Sequence, residues 1–192
     1  MVHLHKHHHP DMLTVEDALE RILSLVNVLP SEEVLIEKTL GQVLATDVHA
    51  PFPIPGSDNS AMDGYAVQSE NIRGASESVP CKLQVIGQIQ AGQVPSQRVE
   101  QGTAIRIMTG ALIPPGADTV IPFELTDEEE RSAKGMPLDV INILTELPQG
   151  QHVRSAGEDV RFGELVLTAG TTVRPPEAGV LASLGKVSQS VI

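Results

Sequence analysis

The side chains best suited to chemistry follow a proline-rich segment at residues 51–55. Its three prolines alternate with other residues, which excludes a helix and favours an extended backbone. A short polar patch at residues 57–60 and then Asp63 come soon after this stiff segment. Because loops held by rigid flanks commonly carry binding and catalytic groups, Asp63 is the first candidate for an acid–base or electrostatic role. The alternative is that Asp63 only opens an Asp-Gly turn and is present for its tolerance of left-handed backbone geometry.

Thr109 is the second candidate, at the end of a strand that the sequence predicts over residues 103–108. A hydroxyl at a strand end, beside a glycine that permits close backbone approach, suits contact with an oxyanion such as phosphate. The alternative is a strand-forming residue that caps a turn. In the same strand Arg106 alternates with apolar residues, and this pattern predicts that its side chain faces solvent.

Two adjacent carboxylates, Glu158 and Asp159, follow Gly157 in a predicted loop. Magnesium in proteins is commonly held by one or two carboxylates and keeps water or substrate phosphate on its other positions. The pair therefore suits a Mg²⁺ site, although adjacent acids are also common on protein surfaces. Arg154 lies close by in the sequence and is expected to pair with one of the two acids or to contact a phosphate.

Three segments of the chain resemble one protein family. Residues 60–67 read Ser-Ala-Met-Asp-Gly-Tyr-Ala-Val and resemble the signature of the MoeA family, the molybdopterin molybdenumtransferases, which are related to the gephyrin E domain. Residues 105–111 and 157–159 resemble the same family. The likeness runs from about residue 13 to about residue 185. It does not reach the family's pterin-binding domain, which would begin where this chain stops.

The resemblance implies the N-terminal portion of an enzyme of molybdenum cofactor biosynthesis. Such an enzyme inserts molybdate into adenylylated molybdopterin and needs Mg²⁺, so both of its small-molecule substrates are anions. The implied catalytic residues are Asp63 and Asp159, and the implied substrate-binding residues are Ser60, Thr109, Arg154 and Glu158. These residues would complete a composite site in a homodimer, where Asp63 faces the active site of the partner subunit. The isolated chain is therefore expected to be inactive. The alternative is a non-catalytic dimerisation or interaction module.

The composition limits the classes of partner. A net charge of -12 argues against nucleic acid and against anionic membrane surfaces, since both require basic patches. With this charge and only 13 lysines and arginines, the chain alone offers anionic substrates little electrostatic attraction. No apolar run approaches the length of a spanning helix. Cys81 is the single cysteine, which rules out a disulfide framework and favours the cytoplasm.

The pattern of the chain predicts an α+β fold. Thr14 as N-cap and the apolar spacing after it predict an amphipathic helix, and Pro175 and Pro176 start another that ends near Gly185. Between them, short apolar runs separated by glycine and proline predict a compact β domain, with a solvated loop at the charged residues 127–131.

The resemblance also implies a domain arrangement. Residues 11–50 and 146–192 would form one discontinuous small α/β domain, and residues 51–145 would form a compact β domain inserted into it. Residues 1–10 hold five of the seven histidines. We expect them to be a flexible His-rich tail or a purification tag, and we exclude them from the fold.

Overall fold

The computed structural model describes residues 13–192, so the predicted His-rich tail at residues 1–10 lies outside the described range. The helices in this range are α1 Val15–Leu23, α2 Glu128–Ala133 and α3 Pro175–Ser183. None of them is long and apolar enough to cross a membrane. The strands are β1 Glu32–Leu35, β2 Val48–His49, β3 Asn59–Ser60, β4 Gly64–Val67, β5 Cys81–Ile89, β6 Thr103–Ile107, β7 Thr119–Pro122, β8 Val140–Ile143, β9 Val153–Arg154, β10 Leu165–Leu167 and β11 Ser188–Val191.

These elements confirm the predicted α+β class, and they fall into two compact units. The first unit contains the described residues up to Val48 together with Leu167–Ile192, and the second is His49–Val166. The sequence placed the end of the inserted β domain at residue 145, whereas the second unit continues to Val166. The reason is long-range pairing, because β9 pairs with β3 and Ile54 forms a β-bridge with Val160.

A five-stranded mixed sheet in the order β7-β4-β6-β5-β8 forms the centre of the second unit. Strand β4 is antiparallel to both of its neighbours, while β5 and β6 are parallel. All four residues of β4 are buried. Tyr65 and Val67 pack into one apolar cluster and Ala66 packs into another, as expected for side chains that alternate across a strand. The residue that precedes β4 is therefore held by a well-packed central strand.

The first unit follows the predicted cap signals. Thr14 caps α1, and its Oγ1 accepts the N–H of Asp17 at 3.1 Å. The predicted amphipathic helix is present and ends at Leu23. Proline at the first position opens α3, where Glu177 accepts the N–H of Arg174 at 3.0 Å. Strand β1 pairs antiparallel with β11, so the last residues of the chain form a strand inside this unit.

Candidate functional site

Asp63 and Thr109 are in direct contact in the second unit. Asp63 precedes β4, Thr109 comes two residues after the end of β6, and the two strands are paired in the sheet. One carboxylate oxygen of Asp63, Oδ1, accepts the backbone N–H of Thr109 at 2.7 Å and its hydroxyl at 2.7 Å. The backbone carbonyl of Asp63 accepts the N–H of Phe123 at 3.2 Å. Asp63 is thus fixed from two sides, although the residue itself is exposed.

These contacts keep the Asp63 carboxylate charged. The hydrogen bond from the backbone N–H of Thr109 lowers the pKa of Asp63, and the Thr109 hydroxyl and the positive charge of Arg106 act in the same direction. Hydrogen bonds to the charged form of an acid favour that form. An exposed aspartate in a fixed position with a low pKa can orient a donor or stabilise a positive charge on a substrate, but it is a weak proton acceptor near neutral pH.

Gly64 permits the close strand packing next to Asp63. A Cβ at this position would lie 1.9 Å from the backbone carbonyl oxygen of Ile121 in β7. Neither Asp63 nor Gly64 has a positive φ, so the interpretation as a turn that needs left-handed geometry is wrong. The glycine is required for the close approach of two strands.

The loop between β3 and β4 is shaped by Ser60, which is buried. Its hydroxyl donates to the carbonyl of Met62 at 2.6 Å and accepts the N–H of Met62 at 3.3 Å. Its backbone carbonyl accepts the N–H of Gly110 at 2.8 Å. Ser60 was predicted to bind substrate, and the structure places its hydroxyl inside the loop that carries Asp63.

A second polar group contains Arg154, Glu158 and Asp159, all partly exposed. Arg154 Nη2 lies 2.7 Å from Asp159 Oδ2, and Arg154 Nε lies 3.7 Å from Glu158 Oε1. The second oxygen of Glu158 accepts the N–H of Ser155 at 3.1 Å. The hydrogen bond from Arg154 to Asp159 raises the pKa of the guanidinium. The predicted pairing of Arg154 with a carboxylate is therefore present, and it involves both acids.

The Asp63–Thr109 contact and the Arg154 group are connected through the pairing of β3 with β9. Asn59 in β3 pairs with Arg154 in β9, and Asp58 Oδ1 accepts the N–H of Ala156 at 2.8 Å. Within residues 13–192, no hydrogen bond or ion pair joins Asp63 or Thr109 directly to the acidic pair Glu158–Asp159. The structure thus brings the six predicted site residues together as two clusters linked by the backbone.

The described residues contain no group of three or more histidine, cysteine, aspartate or glutamate side chains arranged to hold a metal ion. Glu158 and Asp159 supply the hard oxygen ligands that Mg²⁺ takes alongside phosphate oxygens. Both acids already contact Arg154. These residues therefore fit a Mg²⁺ that is completed by a substrate phosphate, provided that Arg154 gives up a carboxylate when the ion binds.

A largely buried network that the sequence did not predict joins β4, β6 and α2, at strand positions next to Asp63. Arg106 donates to both carboxylate oxygens of Glu128, with the shortest contact at 2.7 Å, and the Tyr65 hydroxyl donates to the same carboxylate at 2.6 Å. The side chains of Arg106 and Glu128 are only 21% and 11% exposed. The prediction that Arg106 faces solvent is therefore wrong, and so is the solvated loop at residues 127–131, where α2 begins at the buried Glu128.

The contacts in this network favour a charged Glu128 and a neutral Tyr65. Burial tends to raise the pKa of Glu128, but hydrogen bonds from Arg106 and Tyr65 hold it below its ordinary value. Burial and the neighbouring carboxylate raise the pKa of Tyr65. One sequence signal pointed to this cluster: a tyrosine inside a buried strand needs a polar partner for its hydroxyl.

The family model of the MoeA N-terminal region (domain I and II) matches residues 13–185. This chain belongs to that family. The resemblance inferred from residues 60–67 is thereby confirmed. The MoeA family match covers both units of the chain.

Similar proteins support the same conclusion. The chain is 36% identical over 180 residues to the molybdopterin molybdenumtransferase of Staphylococcus aureus strain Mu50, covering 94% of the chain and 41% of that relative. It is also 36% identical to the molybdopterin molybdenumtransferase 2 of Mycobacterium tuberculosis strain H37Rv, of which it covers 43%. The crystal structure of the molybdopterin biosynthesis MoeA protein from Pyrococcus horikoshii OT3 matches with a TM-score of 0.83 at 36% identity, covering 92% of this MoeA-family chain and 45% of that structure. The chain thus spans about two-fifths of the length of these relatives.

Proposed function

We propose that this chain forms the N-terminal part of a molybdopterin molybdenumtransferase. In the proposed reaction, molybdate and adenylylated molybdopterin give molybdenum cofactor and AMP. Two curated relatives with this activity in their names share 36% identity with the chain. Because the chain covers 41% and 43% of their lengths, we assign the reaction to the complete protein and only a contribution to this chain.

The observation that carries the proposal is the position of Asp63. Its carboxylate is exposed and is held by two 2.7 Å hydrogen bonds from Thr109. A charged group in a fixed position needs little reorganisation during a reaction, which is how enzymes stabilise developing charge. In our proposal Asp63 orients and stabilises a reacting group. The Thr109 hydroxyl is already donated to Asp63, so Thr109 acts by positioning that carboxylate.

The second cluster is proposed to bind the phosphate part of the substrate. The side chains of Arg154, Glu158 and Asp159 are 40%, 48% and 52% exposed. Because exposed ion pairs contribute little free energy, Arg154 can exchange a carboxylate for a phosphate at low cost. Asp159, with Glu158, would then hold Mg²⁺ together with phosphate oxygens. The ion would supply neutralisation of negative charge at the phosphoryl group. Ser60 contributes indirectly, through the shape of the loop that presents Asp63.

We propose that the complete site is formed in a homodimer. The described part of α1 has no buried side chain. Its apolar residues Val15, Leu19, Ile22 and Leu23 are between 56% and 80% exposed. A contiguous apolar stripe on a helix is typical of a contact surface. The same stripe favours the second candidate function, a non-catalytic dimerisation or interaction module.

One experiment distinguishes the two candidate functions. Asp63→Asn in the complete protein removes one negative charge and retains the hydrogen-bond acceptor. The enzyme proposal expects loss of turnover with normal folding, and the interaction module expects no effect on any activity of the protein. We further propose a cytoplasmic location, because the lone thiol of Cys81 stays reduced there. Nucleic acid and membrane are not expected as partners of a chain with a net charge of -12.

A further inference from the structure

The buried network of Tyr65, Arg106 and Glu128 lies next to the Asp63–Thr109 contact, and the proposed role of Asp63 does not explain it. Tyr65 pairs with Arg106 across β4 and β6. Asp63 lies two residues before Tyr65, and Thr109 lies three residues after Arg106. The network and the contact therefore occupy successive positions along the same pair of strands.

The register of β4 and β6 shows where the guanidinium points. Gly64 pairs with Ile107, so continuing the register by one step sets Asp63 beside Met108. Side chains two residues apart lie on the same face of a strand, which puts Arg106 and Met108 on one face. Arg106 Nη1 lies 3.5 Å from Met108 Sδ. The guanidinium thus extends along β6 towards the position across from Asp63.

Glu128 and Tyr65 hold that guanidinium in place. Nε of Arg106 donates to Glu128 Oε2 at 3.2 Å and Nη2 donates to Oε1 at 2.7 Å, in the two-point geometry that fixes orientation as well as distance. The Tyr65 hydroxyl donates to Glu128 Oε2 at 2.6 Å. Tyr65 itself is completely buried. Three elements, β4, β6 and α2, therefore converge on one partly buried positive charge.

We propose that Arg106 is a positioning residue for Asp63, and that Glu128 and Tyr65 lock Arg106 so that a fixed positive charge stands behind the Asp63 carboxylate. This inference rests on the proposed function for its catalytic meaning, but the electrostatic effect is a property of this chain alone. A purely structural role for the network, in which the ion pair only fastens α2 to the sheet, is the competing explanation.

The charges around Asp63 support the proposal. Arg106 lowers the pKa of Asp63, in addition to the larger effect of the Thr109 hydrogen bonds. Within the described residues, Arg106 is the ionisable group whose charge changes the pKa of Asp63. The charged partner of Arg106 itself is Glu128, and the neutral hydroxyl of Tyr65 donates to the same carboxylate.

The test removes both charges of the network together. Arg106→Gln with Glu128→Gln avoids an unpaired buried charge, which would destabilise the fold on its own, and two amides can still hydrogen-bond. The pKa of Asp63 is measured in the 192-residue chain by NMR titration of its carboxyl carbon. We expect this pKa to rise in the double variant. The acid limb of the pH–rate profile of the complete enzyme should move to higher pH by the same amount.

Two controls separate electrostatics from structure. Arg131→Gln with Asp127→Asn removes a second, similarly buried ion pair of the same unit, whose side chains are 14% and 15% exposed. It should lower the melting temperature without changing the pKa of Asp63. Arg106→Lys keeps the charge but loses the two-point contact with Glu128. In Arg106→Lys the pKa of Asp63 should lie closer to the wild-type value than in the double variant. If the double variant does not fold, Arg106→Lys takes its place as the test.

The outcomes are distinct. An unchanged pKa of Asp63 in the Arg106–Glu128 double variant would overturn the inference, as would an equal rise in the Arg131–Asp127 control. If the double variant does not fold, a rise of the Asp63 pKa to its ordinary value in Arg106→Lys overturns it. A raised pKa with unchanged turnover of the complete enzyme supports the electrostatic role of Arg106 and counts against the proposed function of Asp63.

Discussion

The carboxylate of Asp63 accepts the backbone N–H and the hydroxyl of Thr109, a residue 46 positions later in the chain, each at 2.7 Å. Both hydrogen bonds go to the same oxygen, Oδ1. Among the described residues, the other oxygen, Oδ2, accepts no hydrogen bond from the protein. Asp63 is therefore anchored by one oxygen and presents the other, which is the arrangement expected of a charged group that acts on a ligand.

The first prediction concerns the two bonds from Thr109. Thr109→Val removes the hydroxyl and keeps the backbone N–H, which makes the larger contribution to the low pKa of Asp63. The pKa of Asp63 should rise in this variant and remain below its ordinary value, while Thr109→Ser should match wild type. NMR titration of the carboxyl carbon measures both. A low folded-state pKa stabilises the fold above the unfolded-state pKa, so this contribution is lost as pH falls through the folded-state value. An unchanged pKa in Thr109→Val would contradict the observed contact.

The second prediction concerns Gly64. Gly64→Ala places a Cβ 1.9 Å from the carbonyl oxygen of Ile121, and the buried backbone of β7 cannot move aside easily. We expect the free energy of unfolding to fall by about 3 kcal/mol or more. The control is Gly179→Ala in α3, where a Cβ meets nothing within 4 Å and should stabilise by about 0.5–1 kcal/mol. Urea unfolding measures both, and a neutral effect of Gly64→Ala would show that β4 and β7 are not packed as described.

Thr109 and Gly64 show how much of the site can be predicted from the sequence. The amino-acid pattern predicted Asp63, Thr109 and most of the strands around them, because local propensity and turn chemistry act over a few residues. It did not predict that Asp63 and Thr109 touch, since that contact depends on the pairing of β4 with β6. Likewise Gly64 looked like a turn residue, because nothing in the local sequence shows the carbonyl of Ile121 approaching it.

The buried network was missed for a similar reason. Arg106 alternates with apolar residues, which is also the pattern of a solvent-facing charge. Its partner Glu128 lies 22 residues away in a charge-rich segment. Only the fold brings the two together. The extension of the second unit to Val166 likewise follows from pairing between β3 and β9.

The third prediction concerns the proposed dimer. Light scattering after gel filtration should give twice the mass of one 20.5 kDa chain. Leu19→Glu places a charge in the exposed apolar stripe of α1 and should shift the population to monomer, because burying an unpaired charge in a contact is costly. Glu16→Gln on the same helix is the matched control and should leave the dimer intact. A wild-type monomer at high micromolar concentration would contradict the proposed role of α1.

The fourth prediction concerns the isolated chain. It should show no molybdenum insertion and no measurable affinity for adenylylated molybdopterin. The chain carries only 13 lysines and arginines against 25 acidic residues, and four of its arginines form ion pairs of 2.7–2.8 Å with carboxylates within the described range: Arg106, Arg131, Arg154 and Arg174. Isothermal titration calorimetry tests the affinity. A micromolar Kd, equivalent to about -8 kcal/mol, would mean that this chain alone holds the substrate-binding groups.

The most direct test of the account is the turnover of the complete enzyme carrying Asp63→Asn. Asparagine keeps an oxygen that can accept both bonds from Thr109, so the free energy of unfolding should change by less than about 0.5 kcal/mol. The lost negative charge should lower turnover by about 10²-fold or more.

Asp118→Asn is the matched control, because Asp118 likewise accepts the N–H and the hydroxyl of one residue, Ser69, at 2.7 and 3.0 Å. Its turnover should stay within a few-fold of wild type once corrected for folded fraction. An intact melting curve together with a lost rate in Asp63→Asn alone is the result that the account predicts. Wild-type turnover in Asp63→Asn would contradict it and leave Asp63 as a structural residue.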